Sequence, residues 1–304
     1  VVQTLAILPS LVFVVLRQTL QALGEVRPLL LCILVANICN AFGNAALIWG
    51  VPRFGIPALG PMGSSWATAL CTWMLLLVLV ATGRRTLMPY ATRPNVRRSL
   101  RMRPLAKLAI FGVPVGLHQM TEFAAFALMM VLVGQLGVVA VAAHNIAISV
   151  AELTWNISVG ISSAAAVRAG RAVGRRDPAA VRRAVGVSIA TGAVLMGAVG
   201  LAMVVFPAHI AALWTHDPSV LSQVILLLPV AGAFQVFDST QTIAAGVLRG
   251  LLDTKGLLLA SLVGYWVIGT PCSILLGRTF GLGAVGVWWG MVAGLGSASA
   301  VLQF

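Results

Sequence analysis

Acidic residues are what this chain has least of: 7 Asp and Glu in 304 residues, against 20 Lys and Arg. Charged residues of both signs make up only 9% of the sequence, too few to coat a soluble globule of this size. The four cysteines, Cys32, Cys39, Cys71 and Cys272, lack C-x-x-C spacing and all lie in apolar runs. A disulfide framework or a zinc cluster is therefore not expected, and small apolar packing residues are. There is no H-E-x-x-H, no G-x-S-x-G, no phosphate-binding P-loop and no Gly-rich dinucleotide turn. Those absences argue against a hydrolase, an ATP-driven pump or a dinucleotide enzyme, and the chain is not expected to be an enzyme.

What it has in abundance is hydrocarbon. The sequence is 60% hydrophobic with a mean hydropathy of +1.00, and apolar runs long enough to cross a bilayer recur along it. We read an all-α polytopic membrane protein with nine spans, at about 2–23, 29–50, 61–82, 107–135, 140–167, 184–206, 219–248, 257–277 and 283–304. The formal charge of +13 would suggest nucleic acid in a soluble protein, but 18 of the 20 bases fall on one side of these spans. Basic loops near residues 24, 95, 175 and 252 are therefore expected to be cytoplasmic, and no nucleic-acid partner is expected. The longest loop, 83–104, is read as topology-setting rather than as an amphipathic surface segment.

An internal repeat organises the chain. "LQALGEVRPLLLCILV" (20–35) matches "LRGLLDTKGLLLASLV" (248–263) at an offset of 228, and "FGIPALG" (54–60) matches "FGLGAVG" (280–286) at 226. Both copies run in the same orientation, which implies two parallel six-helix halves. Residues 1–104 then hold the last three helices of a first half and 105–304 a complete second half. Three helices of the first half are expected to precede Val1 in the whole protein, and the chain reads as cut at both ends.

Four of the seven acids, Glu25, Asp177, Asp217 and Asp253, fall in loops. The other three lie deep in spans: Glu122 is 15 residues from Lys107, Glu152 is 16 from Arg168 and Asp238 is 11 from Arg249. At 1.5 Å per residue they sit roughly 16–24 Å from the basic boundary, near the bilayer middle. An ionised acid there costs at least about 2.5 kcal/mol. The bland account is a protonated acid packed between helices, but the repeat places Ser10 where Asp238 stands, so the scaffold itself does not need a carboxylate. The functional account is a cation or proton site whose occupancy drives a conformational change. Gln235, Asp238, Gln241 and Thr242 share one helical face, and Asn145, Ser149, Glu152 and Asn156 form a second polar stripe. His118, one turn before Glu122, is a candidate relay partner.

At this point the residues resemble a known family, the multidrug and toxic compound extrusion (MATE) transporters. "GVPVGLHQMTEF" (112–123), "VAAHNIAISV" (141–150), "AAAVRAGRAVGRRD" (164–177) and "GVLRGLLDTK" (246–255) are similar to the family's seventh, eighth and tenth helices with their loops. "NAFGNAALIWG" (40–50) and "GPMGSSWATA" (60–69) look like its fifth and sixth. The resemblance implies a two-lobe fold of six plus six helices, represented here by helices four to twelve. It implies an antiporter that exports amphiphilic, often cationic drugs in exchange for Na⁺ or H⁺. Such a protein is a monomer in the inner membrane whose surroundings are lipid and which needs no organic cofactor.

In the NorM-like branch, Glu122 and Asp238 would form the second-lobe cation site, with Glu152 the least transferable of the three acids. Phe234 stands where that branch often has Tyr, so a phenol is missing from that position. Asn40, Asn44 and Thr68 would correspond to polar groups of a first-lobe site. Phe126, Met129, Phe234 and Phe237 are candidates for an adaptable substrate wall, or alternatively for ordinary packing. A lipid or polysaccharide-precursor flippase of the same superfold is the main rival reading. Such proteins tend to line their cavity with Arg, whereas the bases here sit in loops. A membrane-embedded enzyme using paired acids, for which no catalytic motif is present, and an inactive fragment are the others.

Overall fold

The computed structural model describes residues 2–51, 55, 57–91 and 102–303. The basic loop near residue 95 and Arg53 lie outside them. The chain divides into two compact units, Val1–Leu100 and Arg101–Phe304. Among the described residues it is helical, and nine helices are long and apolar enough to cross a membrane. Helices are the expected outcome, because in lipid every backbone N–H and C=O needs a partner within the segment.

In the first unit a short 3₁₀ turn, Val2–Ala6, leads into α1 (Ile7–Leu23), followed by α2 (Arg27–Trp49) and α3 (Pro61–Ala91). Its core is small: Leu20, Leu29, Cys32 and Leu79 are buried together, and the Cys32 thiol donates to the Leu75 carbonyl at 3.0 Å. The second unit comprises α4 (Met102–Gly134), α5 (Val138–Gly174), α6 (Pro178–Val205), a six-residue α7 (Pro207–Ala212), α8 (Pro218–Leu251), α9 (Thr254–Thr279) and α10 (Gly283–Gln303). Several helices overrun the apolar spans expected from sequence. α3 continues past residue 82 and α5 past 167, because a helix does not end where hydropathy falls: the basic residues that follow are good helix formers. α7 and the π-helical stretches of α9 described below have no signal in the hydropathy.

Three loop acids have local work. Asp177, Asp217 and Asp253 are the N-caps of α6, α8 and α9, accepting from the N–H of Ala180 (2.9 Å), Ser219 (2.8 Å) and Gly256 (3.1 Å). Pro178 and Pro218 follow their caps at the first helical position, where a missing N–H does no harm. The Ser219 hydroxyl and the N–H groups of Ser219 and Val220 hold the Asp217 carboxyl below the usual carboxylate range. Only Glu122, Glu152 and Asp238 remain inside helices.

The repeat is visible in backbone geometry. At the end of α1, Gly24 is left-handed (φ 89°), with Gly24 N–H on Gln21 O (3.0 Å) and Glu25 N–H on Leu20 O (2.9 Å). At the end of α8, Leu252 is left-handed (φ 64°), with Leu252 N–H on Arg249 O (3.2 Å) and Asp253 N–H on Leu248 O (3.0 Å). Each residue of the second turn is its counterpart plus 228, so the two matched segments carry the same Schellman-type stop.

Packing within the second unit is built on small residues. A Cβ on Gly232 would stand 2.7 Å from Gly200 O, so α6 and α8 cross backbone to backbone. α8 also meets α5 through Gly246 and Gly250, set against Ser162 and Ala166, a small-x-x-x-small pair on each helix. The Ser162 hydroxyl donates to Thr242 O across that crossing at 2.7 Å. The larger apolar side chains, among them Trp288, Tyr265, Phe234, Met129 and Leu227, fill the core these crossings leave.

Candidate functional site

Two of the three membrane-depth acids come together. Glu122 on α4 and Asp238 on α8 share a neighbour in Tyr265, whose hydroxyl bonds Glu122 and lies against Gln241, one turn after Asp238, and the Glu122 charge is felt at Asp238. Tyr265, on α9, is fully buried, and its hydroxyl lies 3.1 Å from Glu122 Oε1 and 3.1 Å from Gln241 Oε1. A phenol has one proton for these two acceptors, so at most one bond forms at a time. Glu122 Oε2 accepts from Gln119 Nε2, one helical turn away, at 3.1 Å.

Asp238 differs from Glu122. It is 4% exposed, and among the described residues its carboxylate accepts no hydrogen bond and has no ion pair. A buried ionised carboxylate with no donor is strongly disfavoured, so this geometry calls for a proton or a cation. The groups around this pair include two carboxylates, an amide oxygen and a phenol, with the Arg249 guanidinium near enough to act on Glu122. Those oxygen groups are the chemistry hard cations take.

A phenol does stand beside Glu122, but it comes from α9 rather than from position 234. α9 makes this possible by local distortion: residues Leu262–Gly269 form a π-helical stretch, and Thr270 Oγ1 donates to Tyr265 O at 2.9 Å. The wider turn of a π-helix rotates the residues after it relative to an α-helix, and such stretches are frequent at functional sites. Sequence reasoning missed Tyr265 and Gln119. The available signal for Tyr265 was rarity: the chain has 2 tyrosines, and this one interrupts an apolar span.

The remaining expected residues are dispersed. His118 is buried, but its Nδ1 pairs with Ser261 Oγ at 2.6 Å, so the structure does not show it as a relay to Glu122. That contact ties α4 to α9 one turn before Tyr265, and Ser261 Oγ donates its own proton to Leu257 O within α9 at 2.9 Å. Gln235 leaves the face it shares with Asp238 and donates to Ala151 O at 2.9 Å and to Thr154 Oγ1, locking α8 to α5. Thr242 contributes its carbonyl to Ser162.

Glu152 is exposed on α5 together with Asn145 and Asn156, and Asn156 Nδ2 donates to Glu152 O at 3.0 Å. The structure does not join it to the Glu122–Asp238 pair. Phe126, Phe234 and Trp288 stack edge to face, with centroids 6.1 and 5.4 Å apart, and Met129 is 2% exposed beside them. These three predicted wall residues therefore pack the core of the unit, whereas Phe237 is 39% exposed against α10. In the first unit Asn44 Nδ2 donates to Asn40 Oδ1 at 2.9 Å, and exposed Thr68 bonds the Ser64 carbonyl of its own helix at 3.0 Å.

Comparison with known proteins agrees with this architecture. The sequence model of the MatE family matches residues 114–275, more than half of the chain. The chain is 36% identical over 309 residues to the multidrug resistance protein NorM of Burkholderia vietnamiensis, covering 98% of this chain and 65% of that protein. It is 32% identical over 298 residues to the multidrug resistance protein MdtK of Proteus mirabilis (strain HI4320), covering 96% of this chain and 65% of that one. The chain thus spans about two thirds of the length of these relatives, just short of it in both cases. Its fold is that of the eukaryotic MATE transporter AtDTX14, with a TM-score of 0.81 at 21% identity over 95% of this chain and 63% of that structure.

Proposed function

This chain belongs to the MatE family, and from that premise we propose that the whole protein is a secondary antiporter that exports amphiphilic, often cationic compounds in exchange for Na⁺ or H⁺. The observation that carries the reading is Asp238: a carboxylate buried mid-helix in a membrane span, without a protein donor, beside a second carboxylate. Relatives named for multidrug resistance support the substrate class.

The mechanism follows from charge. With the site empty, Glu122 and Asp238 repel one another in a medium of low dielectric. A proton or Na⁺ relieves that repulsion, and Gln241 Oε1 and the Tyr265 hydroxyl complete an oxygen environment around the ion. Gln119 and Tyr265 hold the Glu122 carboxylate in place while the ion leaves. Because the charged and neutralised states favour different helix arrangements, loading and release bias a rocking equilibrium between two lobes, and a cationic drug competes for the same negative site.

The stripe of exposed Asn145, Glu152 and Asn156, with half-buried Ser149, belongs on a water-filled path rather than against lipid, where an exposed carboxylate would be costly. Of the four candidate wall residues, Phe237 is the one exposed enough to touch a substrate, whereas Phe126, Met129 and Phe234 are packed. The basic loops are cytoplasmic and the membrane is the inner membrane.

The test uses the full-length transporter with Asp238→Asn, Glu122→Gln and both together. Each single amide is expected to remove most cation-coupled efflux at normal expression, and the double to do little further damage, as for groups acting as one unit. Two partial defects that multiply in the double variant would show separate sites and overturn the reading.

A further inference from the structure

A concave site elsewhere in this unit is the chemical opposite of the carboxylate pair. The end of α5 and the start of α6 border an open cavity of about 350 Å³, lined by exposed Arg168, Arg171, Arg175 and Arg183 together with Ala172, Ala180, Ala184 and Val187. No acid is among those lining groups. The nearest acid in sequence, Asp177, is turned to the α6 N-terminus, where its Oδ1 accepts the Ala180 N–H. The volume is at the small end of ligand sites, roughly 300–1,000 Å³.

The backbone explains why four guanidinium groups meet here. Arg168, Arg171 and Arg175 follow one another at spacings of three and four, along one face at the end of α5. The chain then reverses within a very short turn: Arg176 is left-handed (φ 56°), with Arg176 N–H on Val173 O (2.9 Å) and Asp177 N–H on Ala172 O (3.0 Å). That stop swings α6 back beside α5 and sets Arg183 across the cavity from the α5 arginines. A helix C-terminus welcomes cationic side chains, which accounts for one or two bases but not for an acid-free concavity shared by two helices. Arg176 and Arg182 belong to the same basic segment but do not line the cavity.

We propose that this cavity binds a phosphate-bearing anion. Guanidinium forks hold phosphate oxygens in paired, charge-assisted hydrogen bonds, and one bound phosphate would offset the like charges of Arg168, Arg175 and Arg183. The cavity stands where two membrane-length helices end, with half-exposed Val173 and exposed Val187 alongside. That is the level of lipid headgroups, so an anionic phospholipid and a soluble phosphate share the required chemistry.

The experiment compares two double variants of the full-length transporter that remove the same charge. One is Arg168→Gln with Arg183→Gln in the cavity. The other is Arg176→Asn with Arg182→Gln outside it, where Asn tolerates the left-handed backbone. Native mass spectrometry in detergent micelles counts adducts of phosphatidylglycerol against phosphatidylcholine, and thermal midpoints with and without inorganic phosphate are measured in parallel. The cavity pair is expected to lose phosphatidylglycerol binding at least about tenfold and the outer pair less than about twofold, with unchanged midpoints in phosphatidylcholine alone. A midpoint rise with inorganic phosphate that only the cavity pair abolishes assigns a soluble phosphate as the ligand instead. Equal losses in both pairs, or no preference for either anion in the unaltered protein, would overturn the proposal and leave a diffuse positive field.

Discussion

Substituting Gly246 by Ala asks whether the crossing of α5 and α8 holds the site-bearing helix in place. The added methyl would stand 2.2 Å from Ser162 Oγ, 2.6 Å from Ser162 O and 3.0 Å from Ser162 C. Carbon atoms in contact prefer roughly 3.5–4.0 Å, so the conflict exceeds what side-chain adjustment absorbs. Two of the three clashing atoms are backbone. The third is the hydroxyl that donates to Thr242 O at 2.7 Å.

Rotating that hydroxyl away loses a hydrogen bond worth about 1 kcal/mol. Forcing the helices apart adds an overpacking cost of about 1–3 kcal/mol. The sum, about 2–4 kcal/mol, corresponds to a fall in thermal midpoint of roughly 4–16 °C for a unit of about 200 residues. Gly250→Ala should behave alike, since its methyl would meet Ala166 O at 2.4 Å, and the two changes should be less than additive because they force apart the same crossing. Gly186→Ala is the control: nothing lies within 4 Å of its added Cβ, and the better helix former should leave the midpoint unchanged or slightly raised. Asp238 lies two turns before Gly246 on the same helix, so drug efflux should fall with Gly246→Ala and not with Gly186→Ala. The assay is the thermal midpoint of the purified full-length protein in detergent, read by intrinsic tryptophan fluorescence. An unchanged midpoint in Gly246→Ala, or equal effects at Gly246 and Gly186, would refute the packing argument.

Three further outcomes are expected. Tyr265→Phe keeps the fully buried ring but deletes the hydroxyl between Glu122 and Gln241, so cation-dependent drug release should weaken by roughly tenfold or more while the midpoint hardly moves; unchanged release would remove Tyr265 from the site. Leu252→Gly relieves a left-handed residue that is 61% exposed and should stabilise by about 0.5–1 kcal/mol, whereas Gly24→Leu at the equivalent turn should destabilise by about 1–2 kcal/mol; a thermal melt in which Leu252→Gly destabilises or Gly24→Leu does not would break the equivalence of the two turns. Single cysteines introduced near residues 95 and 175 should resist an impermeant thiol reagent in intact cells, and rapid labelling from outside would reverse the topology.

Much of this protein is determined residue by residue along the chain. A span declares itself through hydropathy, because the bilayer demands about twenty apolar residues wherever a helix crosses it. A carboxylate inside a span is conspicuous for the same reason, which is why Glu122 and Asp238 stand out in the bare sequence of amino acids. The left-handed stop at Gly24 and Leu252 falls within the segments that the 228-residue repeat matches, and the turn keeps its hydrogen bonds although leucine replaces glycine. What only the tertiary structure decides is which groups face each other across helices. Periodicity places Gln235, Asp238 and Gln241 on one face, yet Gln235 is drawn to Ala151 and Thr154 on α5 and Gln241 to Tyr265 on α9. His118 stands one turn from Glu122 and pairs instead with Ser261. Tyr265 reaches the carboxylates through a π-helical turn, and α8 is seated against α5 and α6 by glycine contacts with their backbones. The rotation of one helix against another is set by where small residues let backbones touch and where a ladder of hydrogen bonds slips by a residue, and neither quantity is contained in the pattern of any single helix.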